Sequence, residues 1–211
     1  MSQSSRYAYD LPDERIARYP LPDRDGSRLL VWRTGTLADH YFRNLPDLLP
    51  VDSLLIRNRS QVIPARLELQ TPTGARIEIV CLEPADGRLP EHELCRHQSA
   101  RWQALVGNAK RWPPSSPLSL THGSLQLNVH LEHRNGAVAC IAFDWQPVEW
   151  TFLQVLEAAG APPIPPYFKR AAEALDLQRY QTHYAREAGS VAAPTAGLHF
   201  TPEVDAALTA R

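Results

Sequence analysis

The amino-acid sequence predicts an α/β (α+β) domain that is interrupted by an inserted, closed all-β barrel. Three observations predict this fold class. Residues 60–148 contain a series of alternating or β-branched runs separated by turn signals, which is typical of a barrel or sandwich. Mixed helical and strand patterns lie on both sides of this series. The chain has 211 residues, 44% of them hydrophobic, which is enough for one large or two small domains.

The segment before the barrel mixes short elements. "LPDERIARYP" predicts a helical turn that ends at Pro20, because proline cannot continue a helix. "SRLLVWR" and "LADHYF" predict the two strands of a hairpin around "TGT". "SLLIRN" at 53–58 predicts an apolar strand that ends on polar residues.

The inserted segment predicts a set of antiparallel strands. Its candidate strands are "QVIPARLEL", "ARIEIVCLE", "ARWQALV", "SLQLNVHLEH" and "AVACIAF". The turn signals are "TPTGA" and "HRNGA", and the Asn135-Gly136 pair is a strong hairpin marker.

The pattern becomes helical after Glu149. Phe152, Leu153, Leu156 and Ala159 share one helical face, and Gly160 fits a helix stop. "PPIPPYFKR" predicts an extended segment, "AAEALDLQRYQTHYA" a helix, and "TPEVDAALTA" a helix with Thr201 as its N-cap. We therefore expect residues 1–57 and 150–211 to form two segments of one α/β domain around an inserted barrel at 58–149. A single α+β domain is the alternative.

Composition restricts the function classes. The 22 Lys and Arg residues balance 23 Asp and Glu residues, which argues against nucleic-acid binding by bulk charge alone. The three cysteines form no CxxC pair, so a reducing cytoplasm is expected. We expect no membrane span and no signal peptide. The P-loop, Rossmann, nucleophile-elbow and HExxH motifs do not occur.

The stretch "GSVAAPTAGLHFTPE" at 189–203 is the strongest candidate site. Its small residues let the backbone approach a ligand, Thr195 supplies a hydroxyl, and His199 supplies an imidazole that titrates near neutral pH. The helix start that follows attracts anions. The alternative is a tightly packed loop in which His199 is a core residue.

Three further groups are weaker candidates. Arg57, Arg59 and Arg66 suit phosphate or carboxylate, or form a solvated strand end. "KRW" at 110–112 and "YFKR" at 167–170 mix basic and aromatic residues, a combination that suits RNA. The segment "HELCRH" is either a zinc site or a polar hairpin loop. Its candidate zinc ligands are His92, Cys95 and His97, with the more distant Cys81 as a fourth.

Several blocks resemble a known family. "YDLPDERIARYPLPDRDGSRLL", "VIPARL", "WQALVGNAKRW", "PPYFKR", "RYQTHYA" and "GSVAAPTAGLHFTPE" are similar to the S-adenosylmethionine:tRNA ribosyltransferase-isomerases of queuosine biosynthesis. The resemblance implies an α/β domain with an inserted closed β-barrel. It also implies transfer of the ribosyl part of S-adenosylmethionine to 7-aminomethyl-7-deazaguanine at the tRNA wobble position, giving epoxyqueuosine, adenine and methionine. S-adenosylmethionine is then a substrate, and neither a true cofactor nor a metal is expected.

The resemblance also implies the site. His199 is the expected acid or base, and Thr195 the group that orients or polarises. Aromatic residues of the matching blocks are expected around the sulfonium and adenine, and basic residues around tRNA phosphates or the methionine carboxylate. The complete set of expected substrate-binding residues is Asn58, Arg66, Tyr167, Lys169, Arg170, Tyr180, Tyr184, Ser190, Gly197 and Phe200.

The sequence departs from the family pattern in two places. Asn58-Arg59-Ser60-Gln61 replaces a run in which the second position is acidic or an amide and the fourth is basic. Family members also continue beyond "GLHFTPE", so we expect a chain truncated at its C-terminus, with an exposed sheet edge through which it self-associates. Three functions stay open: an inactive piece of the enzyme, a non-catalytic tRNA- or protein-binding paralogue, and an enzyme completed by dimerisation or a second polypeptide.

Overall fold

The computed structural model describes residues 8–113 and 116–211. Its first strands are β1 (Arg28–Arg33) and β2 (Thr36–Tyr41), which pair antiparallel as predicted. Thr34 and Gly35 between them both have positive φ angles, 49° and 84°, the geometry that matches the twist of a hairpin. One-turn 3₁₀ helices at Asp13–Arg15 and Arg24–Gly26 precede the hairpin, and α1 (Leu45–Leu48) follows it.

The strand predicted at 53–58 is wrong. These residues form no strand, and Leu54 and Ile56 are 87% and 85% exposed. An apolar run becomes a strand only where another strand satisfies its backbone groups, and no described strand pairs with this one. The hairpin β1–β2 is also open on one side, with Leu30 and Trp32 67% and 71% exposed.

Six antiparallel strands form a nearly closed barrel, as predicted. In spatial order they are β4 (Arg66–Gln70), β5 (Arg76–Pro84), β6 (Ser99–Gly107), β9 (Val138–Gln146), β8 (Leu125–Asn135) and β7 (Leu118–His122). The edge strands β4 and β7 approach each other. The predicted Asn135-Gly136 turn joins β8 to β9, with Gly136 at a φ angle of 61°.

Alternating side chains fill the barrel. Ile77, Ile79 and Cys81 of β5 point inward and are fully buried, as the two-residue period of a strand requires. Helix α3 (Phe152–Ala159) closes one end of the barrel, with Phe152 packed 5.0–5.7 Å, between ring centroids, from three aromatic rings. Thr151 caps this helix by accepting a hydrogen bond from the Gln154 amide at 3.3 Å.

Gly160 ends α3 where predicted, but for a different reason. Its φ angle is −93°, so it does not use the left-handed conformation. A Cβ at this position would lie 2.0 Å from the Pro64 carbonyl oxygen. Glycine is therefore required here because two backbone segments come close together.

A two-stranded sheet and two short helices lie outside the barrel. Strand β3 (Ser60–Val62) pairs parallel with β10 (Glu187–Ser190), so "QVIPARLEL" is divided between two sheets. Helix α4 (Ala174–Arg179) is shorter than predicted, whereas α5 (Pro202–Thr209) begins at the predicted cap, Thr201. The division into segments 1–57, 58–149 and 150–211 stays a prediction.

Three further expectations meet corrections on the barrel. Trp112 is not available to stack on RNA, because it is 2% exposed and belongs to the core. "HELCRH" is not a hairpin loop, since α2 (Pro90–Leu94) occupies its first half. Cys81 faces the core, and among the described residues the group close enough to share a metal ion is a different one, on β8 and β9. None of the described helices has the length and apolar surface to cross a bilayer.

Candidate substrate-binding site

The stretch 189–203 folds into three connected pieces. After β10 the chain forms a 3₁₀ turn at Thr195–His199 and then enters α5. The 3₁₀ turn lies against the N-terminal segment, since the Arg24 guanidinium donates to the Leu198 carbonyl at 3.1 Å. Residues at the two ends of the chain therefore meet at this turn.

A cavity of about 540 Å³ lies at this meeting point. Its walls come from the N-terminal segment 17–28, the Pro-rich segment 165–170, the end of α4 and the 3₁₀ turn. It brings together five of the twelve predicted site residues: Tyr167, Arg170, Tyr180, Thr195 and His199. A concave site with a few convergent polar groups is the usual form of a small-molecule site.

His199 is oriented in this cavity by the backbone. Its Nδ1 lies 3.3 Å from the Arg24 carbonyl oxygen. Because a carbonyl only accepts hydrogen bonds, Nδ1 carries the proton in this contact and Nε2 of the neutral ring keeps a lone pair. The Phe42 ring, with its centroid 5.3 Å from that of His199, supports the imidazole from behind. This arrangement suits a general base.

Positive charge dominates the polar part of the wall. The lining includes one aspartate, Asp23, and five arginines, Arg18, Arg24, Arg28, Arg170 and Arg179. Arg24 and Arg179 donate to backbone carbonyls and not to carboxylates, at 2.6–3.2 Å. Burial, and secondly the charge of Arg179, lower the pKa of Arg24, although a guanidinium remains charged at neutral pH. The wall therefore attracts anions.

Arg170 is in the wall but is already paired. It makes two hydrogen bonds of 2.7 Å to Asp176, with side-chain exposures of 10% and 3%. Its guanidinium also lies 4.6 Å from the centroid of the Tyr19 ring. Since its charge is neutralised by Asp176, Arg170 holds the aromatic wall in place.

Aromatic rings form the apolar part of the wall. Tyr167, Phe168 and Tyr180 follow one another in edge-to-face contacts, with centroids 5.0 and 6.4 Å apart. Burial raises the pKa of Tyr180 to about 12, so its hydroxyl stays protonated and is not a base at neutral pH. A flat, electron-rich surface of this kind suits an adenine ring or a cation.

Three predicted site residues lie behind the 3₁₀ turn and do not line the cavity. Phe200 is 7% exposed and forms a small core with Phe42 and Val204. Tyr184 packs against Gly197, where a Cβ would lie 2.5 Å from the tyrosine hydroxyl oxygen. This close approach explains the glycine without a ligand.

The remaining four predicted residues lie farther out. Lys169 forms an exposed ion pair with Asp13. The Asn58 side chain accepts a hydrogen bond from the Ser60 amide at 2.7 Å. Arg66 pairs with Glu78 at 3.2 Å and donates to the Ile164 carbonyl, and Ser190 donates to the Ala192 carbonyl. None of the four lines the cavity.

Arg57 and Arg59 also have protein partners. Arg57 makes two hydrogen bonds to Asp205, at 2.7 and 2.9 Å, and lies 4.2 Å from the centroid of the Tyr184 ring. Arg59 pairs with Glu187 at 2.8 Å on the surface. Both contacts attach the C-terminal segment to residues that precede the barrel.

Sequence reasoning assigned no role to several polar residues of the wall, among them Tyr19, Arg24 and Arg179. Tyr19 and Arg24 lie in "ARYPLPDRDG", a block that carried the family resemblance but no predicted role. The one sequence feature that could have pointed to Arg24 and Arg179 is the presence of an arginine in each of the segments "PDRDG" and "LQRY". Nothing in their local pattern shows that each one binds the carbonyls of the other's segment.

Comparison with known proteins decides the family. A family model described as "Queuosine biosynthesis protein" matches residues 4–211. The chain belongs to this family. Its relatives include S-adenosylmethionine:tRNA ribosyltransferase-isomerases from Pelotomaculum thermopropionicum, 42% identical over 201 residues, and Pelobacter propionicus, 40% identical over 200. Each alignment covers 94% of this chain and 54% of the relative.

The chain thus spans about half the length of the curated family members it matches. A solved structure, S-adenosylmethionine tRNA ribosyltransferase from Thermotoga maritima, is 27% identical. That match covers 96% of this chain and 53% of the other, with a TM-score of 0.31. The cavity described above contains residues from four of the blocks that resemble this family, "ARYPLPDRDG", "PPYFKR", "RYQTHYA" and "PTAGLHF".

Proposed function

We propose that this chain carries the substrate cavity of an S-adenosylmethionine:tRNA ribosyltransferase-isomerase. The reaction transfers and rearranges the ribosyl part of S-adenosylmethionine onto 7-aminomethyl-7-deazaguanine in the anticodon of tRNA, and it releases adenine and methionine. The product is epoxyqueuosine. The observation that supports this proposal is the single cavity in which His199, Thr195, four tyrosine and phenylalanine rings and an arginine-rich wall meet. A tRNA substrate also implies a cytoplasmic activity.

The chemistry requires a base beside the sulfonium. The positive sulfur acidifies the adjacent C5′ hydrogens, and Nε2 of His199 is the available lone pair in the cavity. Thr195 begins the same 3₁₀ turn and supplies a hydroxyl that orients or polarises the sugar. A proton donor then assists the departure of adenine.

The remaining parts of the substrate are proposed to contact the cavity wall. Tyr167 and Tyr180 stack on adenine or face the sulfonium. Arg24 and Arg179 hold the methionine carboxylate or an anticodon phosphate. Asn58, Arg66, Lys169 and Ser190 lie outside the cavity and are further candidates for contact with tRNA. We also propose that the barrel at 58–149 is a separate inserted domain.

The experiment measures adenine release when the purified chain is incubated with S-adenosylmethionine and tRNA that carries the deazaguanine base. Release by this chain would exclude an inactive piece of the enzyme, and His199→Ala should then lower the release by about 10²–10⁴-fold. His92→Ala is the matched control, because His92 is exposed on α2 of the barrel. Equal release by the His199 and His92 variants would remove His199 from the chemistry.

A second candidate function is non-catalytic tRNA binding, which the arginine-rich wall favours. It predicts no adenine release, together with tRNA affinity that falls steeply between about 50 and 200 mM salt. Arg18→Gln in the wall would weaken binding, whereas Arg76→Gln, which lies on the barrel surface beside Glu68, would not. Salt-independent binding, or equal effects of the two substitutions, would contradict this candidate.

We also propose that two copies of this chain associate through the exposed β1–β2 hairpin. The β1–β2 hairpin leaves Leu30, Trp32 and Leu37 more than 60% exposed, and such apolar edges favour pairing with a second copy. Sedimentation velocity over a range of concentrations tests this, and a monomer throughout would remove it.

A further inference from the structure

A buried thiol lies on the outer face of the barrel, on the β8–β9 pair. Ala139 and Ile141 of β9 point into the core. Because alternate side chains of a strand point to opposite faces, Cys140 between them points outward. It is nevertheless only 2% exposed. Other side chains therefore cover this thiol.

The cover comes from a β-bulge in the neighbouring strand. Leu131 pairs with Ile141 and His133 pairs with Cys140, which leaves Glu132 as the extra residue between them. A bulge changes the direction of side chains. Here the Cys140 thiol donates to Oε2 of Glu132 at 3.1 Å. The thiol sulfur, a ring nitrogen of His133 and a carboxylate oxygen of Glu132 all lie within 4.8 Å of one another.

A second observation comes from the adjoining cavity of about 220 Å³. His133 and Cys140 line one side of it, and Glu93 lines another. The Glu93 side chain is 3% exposed, and its Oε1 accepts from the Arg101 amide at 3.1 Å. Its Oε2 is buried and has no hydrogen-bond partner in the part of the chain that the structure describes. A buried carboxylate oxygen without a hydrogen bond is costly. The nearest cation is Arg96 at 3.8 Å, and a positive ion in this cavity would offset more of that cost.

We propose that Cys140, His133 and Glu132 bind one Zn²⁺ ion on the outer face of the barrel. Thiolate, imidazole and carboxylate are the donors that Zn²⁺ takes in proteins, and three protein ligands leave one position of the tetrahedron for water. On binding, the thiol proton is released to solvent and the sulfur forms the bond to zinc. The site is separate from the proposed substrate cavity, with which it shares no residue.

Two arginines near the site limit its charge. Arg101 donates to Glu132 through Nε and Nη2, and both contacts use Oε2. The Cys140 thiol contacts the same oxygen, so Arg101 orients the carboxylate that the ion would take. Arg96 lies 3.8 Å from Oε2 of Glu93. With the thiolate formed, Cys140, Glu132 and Glu93 carry three negative charges against these two positive ones, so the cluster still favours a cation.

The test uses the metal-free 211-residue chain and titrates it with Zn²⁺ by calorimetry and with Co²⁺ by absorption. We expect one ion per chain and a thiolate-to-cobalt charge-transfer band. Cys140→Ser and His133→Gln should each weaken Zn²⁺ binding by at least about 10–100-fold. The matched controls are Cys95→Ser and His97→Gln, which change exposed residues of the same types and should leave the affinity unchanged.

A second measurement does not depend on variants. Zn²⁺ should protect Cys140 of the unaltered chain from alkylation in mild denaturant, and it should leave Cys95 reactive, as followed by mass spectrometry. Absence of binding, binding of Co²⁺ without a thiolate band, or affinity lost through Cys95→Ser but not Cys140→Ser would each overturn the proposal.

Discussion

The ion pair between Arg170 and Asp176 offers the sharpest test of how the cavity wall is held. We predict that Asp176→Asn strongly destabilises the chain. The amide keeps the shape of the carboxylate, but it loses the charge and can accept only one of the two 2.7 Å hydrogen bonds. Arg170 is 10% exposed, so water cannot replace what is lost.

The magnitude follows from burial. Removing one partner of a buried ion pair costs about 3–5 kcal/mol, because a charge remains without compensation. Asp176 also accepts from the Glu173 amide at 2.8 Å and so caps α4. Since a whole domain is stable by only about 5–15 kcal/mol, the loss should be evident in a single urea titration.

The matched control is Asp39→Asn, which removes the same charge from an exposed pair. Asp39 and Arg28 lie 2.8 Å apart, with side-chain exposures of 60% and 75%. Such surface pairs contribute about 0–1 kcal/mol. Urea unfolding followed by circular dichroism gives both free energies. Equal, small losses in the two variants would refute the argument from burial, and a double-mutant cycle with Arg170→Gln would measure the coupling directly.

Three other predictions follow from the same structure. Hydrogen bonds from Arg170 lower the pKa of Asp176 below its ordinary 3.8. The ion pair should therefore stabilise the fold fully above pH 3.8 and lose this contribution as the pH falls through the lowered pKa. Asp176→Asn should lack this acid dependence. Gly160→Ala should lower the melting temperature, because its Cβ would lie 2.0 Å from the Pro64 carbonyl oxygen, and overpacking costs about 1–3 kcal/mol or more. Phe152→Ala, which empties a fully buried position at the end of the barrel, should cost about 3–5 kcal/mol in urea unfolding.

Each of these has its own control. Gly107→Ala, where the nearest atom is Cβ of Glu78 at 3.3 Å and not a backbone oxygen at 2.0 Å, should cost less than Gly160→Ala. Leu153 is partly buried on the same helix, α3. Leu153→Ala should therefore lower the free energy of unfolding less than Phe152→Ala. Parallel acid titrations of the wild type and Asp176→Asn would contradict the pH argument if they had the same midpoint.

The barrel was predictable because its information is local. Side chains of β5 alternate between buried and exposed, and Asn135-Gly136 supplies the turn that a tight hairpin needs. The same local reasoning failed at 53–58 and at Trp112. An apolar run does not reveal whether a partner strand exists, and a basic neighbour does not reveal that a tryptophan side chain is in the core.

The site was predictable in part. His199 and Thr195 lie in a stretch whose small residues already indicated a ligand turn, and both line the cavity. Gly197 and Phe200 lie in the same stretch, yet they pack behind it, because a 3₁₀ turn directs successive side chains to different sides. Arg57 and Arg170 looked equally free in sequence, but each has a carboxylate partner.

The sequence by itself determined the family, the barrel strands and the turn that carries His199, since each depends on residue types at short, fixed spacings. Only the tertiary structure decided which charges remain available to a ligand. Arg24 and Arg179 lie 155 residues apart, and each binds backbone carbonyls in the segment of the other, whereas Arg170 is neutralised by Asp176. Which group a charged side chain pairs with depends on their distance in space, and that distance cannot be read from the positions of these residues along the chain.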